Sequence, residues 1–139
     1  MATNVLVAID GSEHSMKAVR KALEMAENEG ANVTLMSVAY FSKDDLDEMP
    51  PGIQDKLEAE AQTALSKGKA LFDESGVKVR IVLEAGLVPA NNIIRRAEED
   101  RFDHIVMGST GITGFKRALI GSTAGKVVAN APCTVTVIR

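Results

Sequence analysis

The chain has 139 residues, 45% hydrophobic and 25% charged, an ordinary composition for one globular domain large enough to bury a conventional core. A formal net charge of −3 argues against a general nucleic-acid binder, which carries a basic face, although Lys116-Arg117 form a local basic pair. The single cysteine, Cys133, excludes an internal disulfide and a cysteine-rich metal site, and no apolar run approaches membrane-spanning length.

Val5-Leu-Val-Ala-Ile9 is an unbroken apolar run, which marks a strand buried on both faces of a parallel sheet. It has no basic lead and closes on Asp10, so it does not read as a signal peptide, and a cytoplasmic location is expected. Asp10-Gly11-Ser12 turns the chain, with Ser12 placed to cap a helix and Glu13 at the positive end of its dipole. Val19, Ala22, Leu23 and Ala26 recur at helical spacing, and Gly30 closes that helix. A second strand runs from Val33 to Val38. The acidic stretch from Ala39 to Gly52 contains Asp44, Asp45, Asp47, Glu48 and Pro50-Pro51, shows no period, and reads as a solvated surface loop.

Ile53, Leu57, Ala61, Ala64, Leu65, Gly68, Leu71 and Phe72 then share one face of a long helix, ended by Ser75-Gly76. Lys78 to Glu84 predicts a third strand, with Val79, Ile81 and Leu83 alternating against Lys78, Arg80 and Val82. Pro89 suits the first turn of a helix carrying Ile93, Ile94 and Ala97. His104 to Gly108 is the fourth strand. A helix from Thr123 to Asn130, broken by Pro132, leads to a fifth strand at Thr134–Ile138.

Strand and helix alternate strictly, which predicts an α/β fold: an open five-stranded parallel sheet with helices on both faces and right-handed crossovers. With the first strand central and the fourth beside it, the strand order is 3-2-1-4-5. Ligands of such sheets sit beyond the carboxyl ends of the strands where the order reverses, here between Asp10 and Gly108. Gly108 opens a glycine-dense stretch that continues through Gly111 and Gly114. Gly121-Ser122-Thr123, at a helix start, offers amides, hydroxyls and the positive end of a dipole to an anion.

Two common phosphate motifs do not fit. The dinucleotide fingerprint G-x-G-x-x-G needs different spacing and a place after the first strand. Gly121-Ser-Thr-Ala-Gly125-Lys126-Val127 is one residue short of a Walker loop, has Val127 where a hydroxyl belongs, and lacks a preceding strand, so Lys126 reads as an exposed helix lysine. The pattern that fits is Gly108-Ser-Thr-Gly111, nine residues, then Gly121-Ser122, or G-x-x-G-(nine)-G-[ST]. In this motif, in Asp10-Gly11-Ser12-Glu13, in the run Asp103 to Gly108, and in Ala131-Pro-Cys133, the chain resembles the universal stress protein family, specifically its ATP-binding branch. The resemblance covers essentially the whole chain.

The resemblance implies a Rossmann-like, adenine nucleotide alpha hydrolase-like fold holding ATP, ADP or AMP, with any Mg2+ carried by the phosphates rather than by protein side chains. On the family pattern, Gly108 and Gly111 would admit the ribose and first phosphates close to backbone. Gly121, Ser122 and Thr123 would cup the phosphates, and Asp10 would face ribose hydroxyls or a phosphate-bound metal. Val38 would lie against the adenine, with Ala8 and Met107 beside it. Two departures stand out. Gly86-Leu-Val-Pro-Ala90 is one residue longer than the family's Gly-x-Pro-Ala turn, and Thr123-Ala124 replace its usual valine and polar residue.

Plainer readings stand beside these. The glycines could serve tight turns alone, with Gly114 a hinge, and Asp10 could be a turn residue capping the first helix with Ser12. Lys116 and Arg117 could offset phosphate charge or simply be exposed. Cys133, in a predicted strand, reads as a small core hydrophobe, and His14 and His104, without partners at ligand spacing, read as ordinary histidines. No side chain at a motif position suits activation of a nucleophile. Asp10-Gly-Ser-Glu-His-Ser15 stands where ATP pyrophosphatases of similar topology carry S-G-G-x-D-S. The expected function is therefore nucleotide binding, as a stress-response sensor or switch. The alternatives are a homodimeric interaction module with an empty pocket, paired through the edge strand Thr134–Ile138, and a slow ATPase. No nucleic-acid or membrane partner is expected.

Overall fold

The computed structural model describes residues 2–40, 52–110 and 120–139. Among them strands and helices alternate as β1 (Asn4–Ala8), α1 (Glu13–Glu29), β2 (Asn32–Tyr40), α2 (Ile53–Glu74), β3 (Arg80–Gly86), α3 (Pro89–Glu99), β4 (His104–Gly108), α4 (Ser122–Asn130) and β5 (Thr134–Ile138). Every strand pairing is parallel, as the alternation of elements predicts, and the order across the sheet is β3-β2-β1-β4-β5, the order expected with the first strand central and the fourth beside it.

The period-two geometry of the central strands splits the core into two halves. Val5, Val7, Val33, Leu35 and Val106 pack with Ala18, Val19 and Ala22 of α1 and with Leu65 and Phe72 of α2. Leu6, Met36, Ile105 and Met107 turn the other way, onto Ala90, Ile93 and Ala97 of α3 and Ala124 and Val127 of α4. A strand covered by helices on both faces has no solvent side, which is why Val5 to Val7 is apolar without alternation. Val5, Leu6, Val7, Ile105 and Val106 are all 0% exposed. Each such burial is favourable by roughly 1.5–3 kcal/mol.

The helix ends follow from their capping residues. Ser12 caps α1 by accepting from the Ser15 amide at 3.3 Å, while the Ser15 hydroxyl donates to the Ser12 carbonyl at 3.0 Å. A cap of this kind stabilises by about 1 kcal/mol. Gly30 ends the helix in the left-handed region, at φ 69°, and Pro89 stands in the first turn of α3.

Several boundaries differ from expectation. β2 continues through Ala39 and Tyr40, which the sequence assigned to a loop, because β3 pairs with it as far as Tyr40 against Gly86. β3 correspondingly runs from Arg80 to Gly86 rather than from Lys78 to Glu84. Its alternation also reads differently: Ile81 and Leu83 stay 39% and 40% exposed, because β3 is an edge strand, while Val82 packs on the α3 side. α4 starts at Ser122, one residue before the predicted start. Cys133 precedes β5 instead of lying in it, half-buried against the α3/α4 half of the core. Burial, with Asp103 nearby, pushes its thiol pKa up. Residues 41–51, with most of the acidic stretch, and 111–119, with Gly111, Gly114, Lys116 and Arg117, lie outside the described residues. Among the described residues no helix is long and apolar enough to cross a membrane.

Candidate functional site

The strand order reverses between β1 and β4. From β1 the chain crosses through α1 to β2 on one side, and from β4 through α4 to β5 on the other. Two helix starts, each with the positive end of a dipole, therefore follow the carboxyl ends of two adjacent strands.

The strand ends supply an apolar floor. Ala8 is in register with Met36 on one side and Met107 on the other, and Val38 lies two residues beyond Met36 on β2. Ala8, Met36, Val38 and Met107 all belong to the α3/α4 face of the sheet. Met107 is 4% exposed, whereas Ala8 and Val38 are half-buried. The three residues expected beside a base thus share one face.

After β1 the chain turns on its own side chains. The Ser12 amide donates to Asp10 Oδ1 at 2.9 Å, and the Asp10 amide donates to the Ser15 hydroxyl at 3.3 Å. The turn role foreseen for Asp10 is therefore present, carried by one carboxylate oxygen.

Gly108 has a neighbour that sequence reasoning did not supply. A Cβ there would lie 2.8 Å from both the carbonyl carbon and the Cβ of His14, and 2.9 Å from the Ser15 amide. The end of β4 is pressed against the first turn of α1, and this contact alone requires glycine. The neighbour on this side of Gly108 is a helix.

Beyond Gly108, the Ser109 amide donates to the Ile138 carbonyl at 2.8 Å, and the Ser109 carbonyl accepts from the Gly121 amide at 2.7 Å. A Cβ at Gly121 would stand 3.2 Å from that carbonyl oxygen. Gly121 is the N-cap of α4, and the first intrahelical bond runs from the Gly125 amide to the Gly121 carbonyl at 2.9 Å. The Gly121 amide is thus occupied within the protein. The amides of Ser122, Thr123 and Ala124, which precede the first intrahelical donor, form the positive end of the helix. Ser122 is exposed, Thr123 half-buried and Ala124 buried, so the exposed end of α4 carries a hydroxyl of the kind that suits an anion. Thr110 is 7% exposed, and its hydroxyl is hydrogen-bonded to Nδ1 of His14. The other histidine, His104, meets the Thr136 hydroxyl at 2.6 Å through Nε2, tying β4 to β5.

On the flank, Glu84 of β3 sits in register with Val38 and gathers three partners from α3. Its Oε1 accepts from Asn92 and Arg95, each at 2.9 Å, and its Oε2 accepts from Arg96 Nε at 2.8 Å and Nη2 at 2.6 Å. Burial works to raise the Glu84 pKa, but the hydrogen bonds from Asn92 and Arg96 and the two guanidinium charges outweigh it, leaving the carboxyl below its ordinary value. Asn92 also donates to the Ala85 carbonyl at 3.3 Å, and a Cβ at Gly86 would overlap its carboxamide. The sequence signal for this cluster was the spacing of Asn92, Arg95 and Arg96, which places them on one side of a helix. The longer segment after Gly86 is accommodated by Leu87, 47% exposed, and by Val88 as the cap of α3.

An apolar floor beside a helix start suits a ligand with a flat apolar ring and an anionic group. Among the described residues, no three of His, Cys, Asp and Glu come together to hold a metal ion.

Comparison with known proteins gives this arrangement a family. Residues 1–139 match the universal stress protein family. The universal stress protein MJ0531 of Methanocaldococcus jannaschii is 37% identical over 138 residues, spanning 97% of this chain and 81% of that protein. The solved structure of MJ0577 is 26% identical with a TM-score of 0.82, covering 99% of this chain and 96% of that one. The universal stress protein of Archaeoglobus fulgidus in complex with dAMP has the same fold at 23% identity, a TM-score of 0.70, and coverage of 100% and 98%. So does a family protein of Arabidopsis thaliana with AMP bound, at 22% identity, a TM-score of 0.72, and coverage of 98% and 90%. The chain belongs to the universal stress protein family.

Proposed function

We propose that this chain is a single-domain, cytoplasmic adenine-nucleotide-binding protein that acts as a stress-response sensor or switch. The observation that carries the reading is the juxtaposition at the switch point of the apolar strand ends Ala8, Val38 and Met107 with the capped start of α4. The family relatives that hold dAMP and AMP support the same ligand class. In this reading the base lies along Val38, Ala8 and Met107, and Asp10 faces the ribose. The phosphates meet the amides and hydroxyls of Ser122 and Thr123, next to Gly108, Gly111 and Gly121. Any Mg2+ is held by the phosphates. Titration calorimetry on protein stripped of nucleotide should show binding of ATP, ADP or AMP in the micromolar range, and Ser122→Asp should abolish it by opposing the phosphate charge. No heat with any of the three rejects the proposal. Ser122→Ala and assay of released phosphate separate binding from slow hydrolysis.

A second reading is favoured by one further observation. β5 stands at the sheet edge with β4 as its partner, and Val135 and Val137 are half-buried. An open edge of alternating Thr and Val suits pairing with a second copy through Thr134–Ile138. Light scattering should then give a dimer mass, and a monomer mass at every concentration removes this reading.

A further inference from the structure

Ser109 and Thr110 form a junction between three elements. The Ser109 amide donates to β5 at Ile138, its carbonyl receives the cap amide of α4, and the Thr110 hydroxyl is bonded to His14 of α1. His14 is held at two points: its Cβ lies where Gly108 leaves room, and its ring is tied to Thr110. The first turn of α1 also carries the Asp10 turn, through the bond from Ser12 to Asp10 and the bond from Asp10 to Ser15. One contact, His14 with Thr110, therefore joins the two halves of the site side chain to side chain.

We propose that His14 is a positioning residue for nucleotide binding: through Thr110 it fixes the start of α1, with its Asp10 turn, relative to the start of α4. This rests on the nucleotide reading above and extends it to a residue that no motif marks. A threonine hydroxyl both donates and accepts, so it can bond either tautomer of the ring or the imidazolium.

The test is calorimetry with AMP on nucleotide-free wild type, His14→Phe, Thr110→Val, the double variant and His14→Asn, with thermal melts of each. His14→Phe keeps a flat ring and the Cβ beside Gly108 but removes the bond, Thr110→Val replaces only the hydroxyl, and His14→Asn puts an amide where Nδ1 was. Each of the first two should weaken AMP binding roughly fivefold, the effect of losing about one net hydrogen bond. The double variant should be no weaker than the worse single one, and His14→Asn should recover most of the affinity. A role confined to stability would shift the melts without non-additivity in affinity and without rescue. Should His14→Phe fail to fold, Thr110→Val and His14→Asn decide the matter. Variants within twofold of wild type, or losses that multiply, overturn the proposal while the nucleotide reading stands. No heat with wild type overturns both.

Discussion

Where β4 ends, backbone meets backbone: Gly108 lies on the first turn of α1, and Gly121 lies on the Ser109 carbonyl, each with a missing side chain as the condition of contact. Where β3 ends, on the flank of the same sheet, one carboxylate collects an amide and two guanidiniums from α3. The first region is fixed by shape and by buried apolar strands, the second by charge at a half-open edge. Shape tolerates no added atom but is indifferent to salt and acid, whereas a charge cluster accepts small displacements and answers to both. The expected ligand contacts fall in the first region, with Val38 at the border of the second.

The largest effect should come from the centre. Leu6→Ala empties space in a strand with no solvent side and should cost about 2–5 kcal/mol, read as a drop in urea midpoint that 1 M salt leaves unchanged. Gly108→Ala should follow, at about 1–3 kcal/mol, because its Cβ meets His14 backbone, which cannot rotate aside. A loss no larger than experimental error would mean that α1 and β4 separate easily and would dissolve the contrast.

On the flank, Glu84→Gln should cost about 1–2 kcal/mol at neutral pH and low salt, and clearly less in 1 M salt, since Arg95 and Arg96 are partly exposed. Acid sharpens the same point. The folded Glu84 carboxyl titrates below its unfolded value, so its contribution is complete above the ordinary glutamate range, about pH 4.3, and is lost as pH falls through the folded value. Wild type and the Gln variant should therefore converge in stability on acidification, a comparison that chemical denaturation at a series of pH values would make. Smallest of all is Lys69→Ala, which breaks an exposed pair with Asp73 on α2 and should change stability by less than about 0.5 kcal/mol.

The contrast also explains what could be read in advance. Unalternating runs such as Val5 to Val7 and His104 to Gly108, separated by amphipathic helices, force a parallel doubly covered sheet, and the order of elements leaves few ways to connect it. Gly108 and Gly121 are visible as glycines but not as contacts, because the atoms they make room for, in His14 and Ser109, lie in other elements. Glu84 and Asn92 are eight positions apart, and only the pairing of β3 with β2 and its crossover to α3 brings them together. The end of β3 is hidden from the sequence for a similar reason: Ala85 and Gly86 extend because β2 continues beside them to Tyr40. The His14–Thr110 bond spans 96 positions and belongs to no periodic pattern.

The bond from the Gly121 amide to Ser109 has one more consequence, and it concerns time. Since α4 takes its starting point from β4, the place of its first turn, which carries Ser122 and Thr123, is set by contacts within the protein. For a phosphate bound at that turn, as proposed, the α4 side of the site would need little ordering on arrival. Encounter rates for different adenylates should then be alike, and the protein's preference among them should show in how long each one stays.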